Sequence, residues 1–282
     1  MHGAVWALLV VLIISLIVVV AGAYYLHHIQ SQLFRKHRIA PGELYKVEDR
    51  MYALPQLSLS CSRAPVLKES FMVHQRELYT TFMEVLDEFG VQAWVSDGTL
   101  LGFVRHRTFI PWDDDIDFHA FLGDKQVMWS KAFRTRCAQR GIQLYEKNLR
   151  WFPVRRFNME VTMLHAHLRD VKVGPHLDVY FALSHHRHEV GRVKQIRKSK
   201  DSEYYSMSLR EGFPHAVSSI LPLQRVTVDG MPAFFPHDPL TVLQRQYGDS
   251  ALTKMVVPPT GLLSAHMPFY LKRLFGGYKR LN

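Results

Sequence analysis

The first segment of the chain is almost purely hydrophobic. Residues 3–26 are 24 positions without a formal charge, dense in Val, Leu and Ile, and about 20 apolar residues suffice to cross a bilayer as a helix. The pattern therefore predicts a single transmembrane anchor over residues 1–34. A cleaved signal peptide is the alternative. The small residues 21–23 support it, but the length of the apolar stretch and the absence of a basic segment before it oppose it.

The pattern after the predicted anchor is irregular. Residues 35–65 contain three prolines and show little sustained periodicity, which predicts a stem or linker. A single catalytic domain is then predicted over residues 66–282.

Helical and strand periods alternate within this domain. Apolar residues recur at helical spacing from Leu67 to Phe89 and stop at Gly90, which predicts one long amphipathic helix. A short apolar run at 91–95 predicts a strand, and a tight turn with a helix start follows it. Further strands are predicted at 116–121, 142–145, 151–157 and 176–183, and further helices at 125–139 and 239–247. Because strands and helices are interspersed, the predicted fold class is α/β (α+β) with one mixed sheet.

Composition narrows the class of protein. The chain has 282 residues with 35 Lys+Arg against 25 Asp+Glu, a formal net charge of +10, and its first charged residue is Arg35. About 250 residues remain after the anchor, which suits one full-sized catalytic domain. Two cysteines, Cys61 and Cys137, exclude a disulfide scaffold and a zinc site built mainly from thiolates. They either pair once or remain free thiols.

The densest acidic feature is the run Asp113-Asp114-Asp115-Ile116-Asp117. These carboxylates repel one another unless cations neutralise them. In a strand, Asp115 and Asp117 point to the same face, so both can bind a hard divalent cation such as Mg²⁺ or Mn²⁺ through oxygen ligands. A solvated acidic turn is the alternative.

A turn at Asp97-Gly98-Thr99 precedes the acidic run. Backbone N–H groups at the end of a strand and the start of a helix suit a phosphate, as does the hydroxyl of Thr99. A third carboxylate is then expected on a neighbouring strand, and Asp178 is the best candidate, with a polar residue at a strand edge as the alternative.

Histidines and basic residues elsewhere have less specific patterns. The pair His165 and His167, and the group His185, His186 and His188, are interpreted as ordinary polar surface rather than metal sites. The basic stretch 192–200 lacks interleaved aromatic residues, so no nucleic acid partner is predicted.

Residues 98–99 of the turn and the acidic run at 113–117 lie in two segments that resemble a known family. The runs 98–105, Gly-Thr-Leu-Leu-Gly-Phe-Val-Arg, and 109–117, Phe-Ile-Pro-Trp-Asp-Asp-Asp-Ile-Asp, look like the signature of the LicD family. A weaker match lies at Val228-Asp229-Gly230, Phe235-Pro236 and residues 243–249. The family includes bacterial phosphocholine transferases, fukutin and fukutin-related protein. The resemblance implies a nucleotidyltransferase-like fold, although the chain lacks a cysteine cluster for zinc.

The resemblance also implies roles for seven residues. The catalytic and metal-binding positions are Asp115, Asp117 and Asp178, with Mg²⁺ or Mn²⁺ as the cofactor. The substrate-binding positions are Gly98 and Thr99, which would face the donor phosphates, together with Asp113 and Arg105. The guanidinium of Arg105 would neutralise a phosphate through its planar fork.

The predicted function is therefore that of a metal-dependent phosphotransferase. It would move a phospho-alcohol, such as ribitol phosphate or phosphocholine, from a CDP-activated donor to a glycan or glycoconjugate acceptor. The alternatives are a nucleotide-sugar glycosyltransferase with an Asp-x-Asp metal site and an inactive membrane-anchored binding protein. The resemblance implies a Golgi protein with a lumenal domain, whereas Arg35, Lys36 and Arg38 favour a cytoplasmic domain by the positive-inside rule.

Overall fold

The computed structural model describes residues 2–148, 162–171, 174–184, 203–205, 214–257 and 278–280. Its helices are α1 His2–Leu33, α2 Glu69–Glu88, α3 Asp97–Arg105, α4 Lys125–Trp129, α5 Lys131–Gln139, α6 Val217–Ile220 and α7 Pro239–Tyr247. Its strands are β1 Leu44–Val47, β2 Arg50–Ala53, β3 Ser58–Leu59, β4 Trp94–Val95, β5 Asp115–Phe121, β6 Ile142–Asn148, β7 Thr162–Leu168, β8 His176–Ser184, β9 Glu203–Tyr205, β10 Pro214–Ala216, β11 Gln224–Val228, β12 Met231–Phe235, β13 Lys254–Met255 and β14 Tyr278–Arg280.

The described residues form a mixed eight-stranded sheet. Strands β5 and β8 lie parallel at its centre, with β4 antiparallel to β5 on one side and β7, β6 and β14 following antiparallel on the other. Short strands β9 and β10 extend the sheet from the end of β8. The predicted mixed α/β fold class is confirmed.

The two faces of this sheet differ in chemistry because side chains alternate along each strand. The apolar face includes Ile116, Phe118, Leu177 and Val179, all fully buried. Helix α2 packs on it, with the rings of Tyr79 and Phe118 stacked at 5.4 Å. The opposite face carries the polar residues of the same strands.

The long helix predicted from the spacing of apolar residues is confirmed as α2. The predicted helix over 125–139 is instead two helices, α4 and α5, that meet at Ser130. Ser130 has an extended backbone, and its hydroxyl accepts a hydrogen bond from the N–H of Phe133 at 3.2 Å. A serine that caps a new helix competes with continuation of the old one. The predicted strand at 151–157 lies outside the described residues.

The segment predicted to be a stem packs on the domain. Strands β1 and β2 form a hairpin, and Tyr45, Val47, Leu54 and Ala64 are buried in the common core. The structure therefore differs from an extended stem here. The predicted domain boundaries stay a prediction.

One polar network holds the hairpin of β11 and β12 to the rest of the domain. Asp229 lies in its turn with φ +53°. Its carboxylate accepts hydrogen bonds from Tyr52 at 2.7 Å and Thr108 at 2.9 Å and forms ion pairs with Arg50 and Arg76. We call these five residues the Asp229 network.

The predicted transmembrane anchor corresponds to α1. Among the residues that the structure describes, no helix combines the length and the apolar character needed to span a membrane.

Candidate active site

The register of the central strands gathers the predicted carboxylates on the polar face of the sheet. In the parallel pair of β5 and β8, Asp117 lies opposite Asp178, and Asp115 lies opposite His176. Since residues opposite each other in a ladder share a face, Asp115, Asp117 and Asp178 lie side by side. Asp117 and Asp178 are buried, at 8% and 4% exposure.

The loop before β5 adds further acidic groups. One carboxylate oxygen from each of Asp113, Asp114 and Asp115 lies within 4.8 Å of the others. The amide of the buried Gln75 on α2 donates to the backbone carbonyls of Asp113 and Asp115, at 3.1 and 3.2 Å. A helix of the core thus fixes the path of the acidic loop.

A further acidic residue, Asp97, was not predicted as part of the site. It is the first residue of α3, with φ +45°, and its carboxylate is one of the charges that act on Asp117. The sequence predicts backbone N–H groups and the Thr99 hydroxyl as the functional groups of the turn at 97–99, and it assigns no role to the carboxylate of Asp97. Asp-Gly is a common turn dipeptide, so the local sequence does not distinguish Asp97 from an ordinary turn residue. Together with Asp113, Asp115, Asp117 and Asp178, Asp97 forms what we call the acidic cluster.

In the protein without a bound cation, ionisation of the carboxyl groups in the acidic cluster is unfavourable. Burial, followed by the charges of Asp115, Asp97 and Asp178, raises the pKa of Asp117 well above its ordinary value. Burial and the neighbouring Asp115 and Asp114 carboxylates likewise raise the pKa of Asp113. Packed carboxylates of this kind require either protons or cations.

The two residues predicted to face donor phosphates, Gly98 and Thr99, both lie against residues of the acidic cluster. The hydroxyl oxygen of Thr99 accepts a hydrogen bond from the backbone N–H of Asp117 at 2.9 Å, and the Thr99 residue is 2% exposed. A β-carbon at Gly98 would overlap Oδ2 of Asp113. Thr99 therefore positions Asp117, Gly98 leaves room for the carboxylate of Asp113, and contact with a phosphate stays a prediction for each.

The guanidinium of Arg105 is hydrogen-bonded to the segment 251–254. Its Nη1 donates to the backbone carbonyls of Ala251 at 2.9 Å and Lys254 at 3.0 Å. Burial lowers the pKa of the guanidinium to about 10, although the nearby Tyr247 and Asp113 oppose this change. The structure thus places Arg105 near the acidic loop but engaged with backbone oxygens, and its predicted phosphate contact stays a prediction.

The surface interpretation of His165 is wrong. The residue is 1% exposed, and its Nδ1 lies 2.6 Å from Oδ1 of Asp178. Strand β7 pairs with β8 so that His165 faces Asp178 and His167 faces His176. The groups at 185–188 and 192–200 lie outside the described residues.

A family model described as LicD/FKTN/FKRP, nucleotidyltransferase domain, matches residues 90–238. An uncharacterised protein of Rickettsia prowazekii (strain Madrid E) is 23% identical over 190 residues, which cover 66% of this chain and 57% of that protein. The ribitol 5-phosphate transferase FKRP of Mus musculus is 34% identical over 76 residues, which cover 27% of this chain and 15% of that protein.

The Homo sapiens ribitol 5-phosphate transferase FKRP matches equally, at 34% identity over 76 residues that cover 14% of its length. The chain therefore spans less than two thirds of each of these relatives. A crystal structure of ANT(2")-Ia in complex with adenylyl-2"-tobramycin is 12% identical, with coverage of 72% of this chain and 90% of that chain and a TM-score of 0.35. That likeness is too distant to support a functional comparison. Because the family model matches more than half of its residues, the chain belongs to the LicD family.

Proposed function

We propose that this protein is a metal-dependent phosphotransferase that moves a phospho-alcohol from a CDP-activated donor to a glycan acceptor. The observation that carries the proposal is the acidic cluster, in which Asp115, Asp117 and Asp178 share one face of two parallel strands. Its place within the segment that matches the nucleotidyltransferase model supports a reaction at phosphorus. The similarity to a ribitol 5-phosphate transferase supports ribitol phosphate as the first group to test.

The donor set of the acidic cluster fits a hard divalent cation. Its ligands are carboxylate oxygens, which Mg²⁺ and Mn²⁺ prefer. The raised pKa of Asp113 and of Asp117 shows that burial and repulsion disfavour their charged forms unless positive charge is supplied. Asp115, Asp117 and Asp178 would hold the ion, which when bound would offset charge on the donor diphosphate.

The residues around the cluster would position it. Thr99 fixes the backbone of Asp117, and Gln75 fixes the backbone of Asp113 and Asp115. Preorganised groups of this kind need no rearrangement when charge develops in the transition state.

The proposed reaction is a displacement at the phosphorus that carries the alcohol. An acceptor hydroxyl oxygen forms a new bond to this phosphorus, and the bond between phosphorus and the bridging oxygen of the diphosphate breaks. CMP leaves with that oxygen, and the hydroxyl proton passes to a carboxylate of the acidic cluster. The product is a phosphodiester on the glycan.

The test is a transfer assay with the full-length protein, a panel of CDP-ribitol, CDP-choline and UDP-sugars, and glycan acceptors. We expect release of CMP that depends on acceptor and on Mg²⁺ or Mn²⁺ and that stops with a chelator. Transfer from a UDP-sugar alone would replace the proposal with a glycosyltransferase. The absence of divalent-dependent nucleotide binding would favour a binding protein.

Membrane attachment and location are separate proposals. Apolar side chains on α1, such as Leu12 at 60% and Val19 at 66% exposure, face outward, and together with the uncharged sequence they support attachment of α1 to a membrane. A Golgi location with the domain in the lumen rests on membership of the LicD family alone. Alkaline carbonate extraction tests the attachment, and protection from added protease in intact vesicles tests the side. Release by carbonate would overturn the anchor, and digestion in intact vesicles would overturn the lumenal domain.

A further inference from the structure

Beside the acidic cluster, two histidines and a carboxylate meet on the polar face of the sheet. His165 on β7 lies opposite Asp178 on β8 in the strand register, and His176 lies two residues before Asp178 on the same face. One ligand atom from each of the three residues lies within 4.8 Å of the others. The histidine rings are 5.1 Å apart between centroids. The arrangement follows from strand pairing, so the rigid part of the fold holds it.

From these contacts we propose a second cation site, formed by His165, His176 and Asp178, for a transition-metal dication of the Zn²⁺ or Co²⁺ type. We call it the histidine site. Its donor set of two imidazole nitrogens and one carboxylate oxygen suits these ions, whereas Mg²⁺ prefers oxygen ligands alone. Three protein ligands would leave a coordination position for water or a substrate group.

All three ligand atoms lie within 4.8 Å of one another, and the distance of one pair can be compared with that expected around an ion. Nδ1 of His165 and Oδ1 of Asp178 are 2.6 Å apart, whereas two ligand atoms bonded to one tetrahedral ion at about 2.0–2.1 Å lie roughly 3.3 Å apart. The pair therefore has to open by less than about 1 Å, which small side-chain rotations achieve. Both residues are nearly inaccessible to solvent, with exposures of 1% and 4%, so the ligands are already desolvated.

The neighbouring histidine provides a matched control. His167 lies on the same strand and face as His165, and its Nδ1 is 3.0 Å from the backbone carbonyl oxygen of Leu168. It does not belong to the group whose ligand atoms converge. Its removal changes the histidine content of the face without removing a proposed ligand.

The test is a titration of the full-length protein with Co²⁺, followed through the visible ligand-field bands that nitrogen coordination produces. We expect saturation at a single ion in the wild type and in His167→Ala. His176→Ala and His165→Gln should each weaken Co²⁺ binding by more than about tenfold. Because Gln can still donate to Asp178, the His165→Gln variant keeps the hydrogen bond while it removes the imidazole, and circular dichroism checks that it folds.

The outcomes separate this proposal from the proposed transferase function. No ligand-field band in the wild type, or equal Co²⁺ affinity in the wild type, His165→Gln and His176→Ala, would overturn the histidine site. Asp117→Asn, which lacks a proposed Mg²⁺ ligand but none of the histidine site, should keep the Co²⁺ band. Loss of that band in Asp117→Asn alone would also contradict a separate site.

Discussion

The acidic cluster and the Asp229 network both bury carboxylates, but the pKa of the carboxyl group shifts in opposite directions in the two regions. Although burial opposes ionisation of Asp229, hydrogen bonds from Tyr52, Thr108 and Arg50 and the charge of Arg76 lower the pKa of its carboxyl. In the acidic cluster, burial and neighbouring carboxylates raise the pKa of Asp117. In the Asp229 network, arginines of the same chain compensate the carboxylate. In the acidic cluster, the neighbouring groups are carboxylates of the same charge.

This difference separates structural from functional use of the same side chain. Removal of a carboxylate that is paired within the chain leaves a buried positive charge without its partner, which destabilises the fold. Carboxylates that repel one another destabilise the fold, so their arrangement indicates an external counter-charge. Single substitutions probe this contrast.

The largest effect is expected in the acidic cluster. Asp117→Asn should reduce transfer from a CDP-alcohol by at least about 100-fold, because it removes a charged ligand at the reacting centre. Without divalent cations, its free energy of unfolding should equal or exceed that of the wild type, since one repelling charge is gone. CMP release and urea unfolding measure the two effects, with the exposed Asp49→Asn as control. Full activity in Asp117→Asn would remove Asp117 from the mechanism.

The Asp229 network should respond in the opposite sense. Asp229→Asn should lower the free energy of unfolding by about 2–3 kcal/mol, because Arg76 loses its partner in a largely buried position. Asn tolerates the positive φ of this turn, so the change reports charge rather than backbone strain. Urea unfolding is the measurement. Arg50→Gln, at a half-exposed partner, should change stability by less than about 1 kcal/mol, and a loss as large as that of Asp229→Asn would contradict the account.

A smaller change should affect the acidic cluster through packing alone. A β-carbon in Gly98→Ala would displace the carboxylate of Asp113, so we expect roughly tenfold slower transfer. The free energy of unfolding should stay within about 1 kcal/mol, because Ala favours the helix more than Gly does. Gly123→Ala, where the added carbon has no neighbour within 4 Å, is the matched control. Equal transfer rates in the two variants would argue against a role for the position of Asp113.

His106 tests whether burial beside a single neighbouring charge, without a cluster of charges, disfavours ionisation. Burial and the charge of Arg105 lower its folded pKa to about 3, below the value of about 6.5 expected in the unfolded chain. The unfolded state therefore binds the proton first, so this stabilisation is complete above about pH 6.5 and is lost as the pH falls towards 3. Relative to His106→Gln, the wild type should lose up to about 1.5 kcal/mol between pH 6.5 and 5 in urea unfolding. Parallel pH profiles would contradict this.

The sequence predicts the helices and strands better than it predicts which of them lie next to one another. Alternation of polar and apolar residues places Asp115 and Asp117 on one strand face, and the helical spacing of apolar residues predicts α2. The position of His165 depends instead on the register of β7 with β8. That register is set by long-range packing, which no local period encodes. The same limit explains why the sequence of residues 35–65 predicts a stem, since their core contacts are with distant segments.

The sequence predicts only part of the acidic cluster, because the rest depends on the pairing of strands that are distant in sequence. The carboxylates of residues 113–117 are adjacent in sequence, so their mutual repulsion is visible without a structure. Asp97 enters the cluster only because the antiparallel pairing of β4 with β5 carries the start of α3 back to Asp117. Conversely, the partners of Arg105 at residues 251 and 254 lie far along the chain, so neither the local sequence nor the family resemblance that implies its phosphate role indicates these contacts.

The central claim is that the acidic cluster holds a divalent cation, and electron paramagnetic resonance of Mn²⁺ tests it most directly. Titration of Mn²⁺ into the full-length wild type should remove the signal of the free ion, and Mg²⁺ should restore it by competition at the oxygen ligands. Asp117→Asn should leave the free-ion signal largely unchanged, whereas His176→Ala should bind Mn²⁺ as the wild type does. A free Mn²⁺ signal that is the same with wild-type protein as with buffer, or equal binding by Asp117→Asn, would contradict the account.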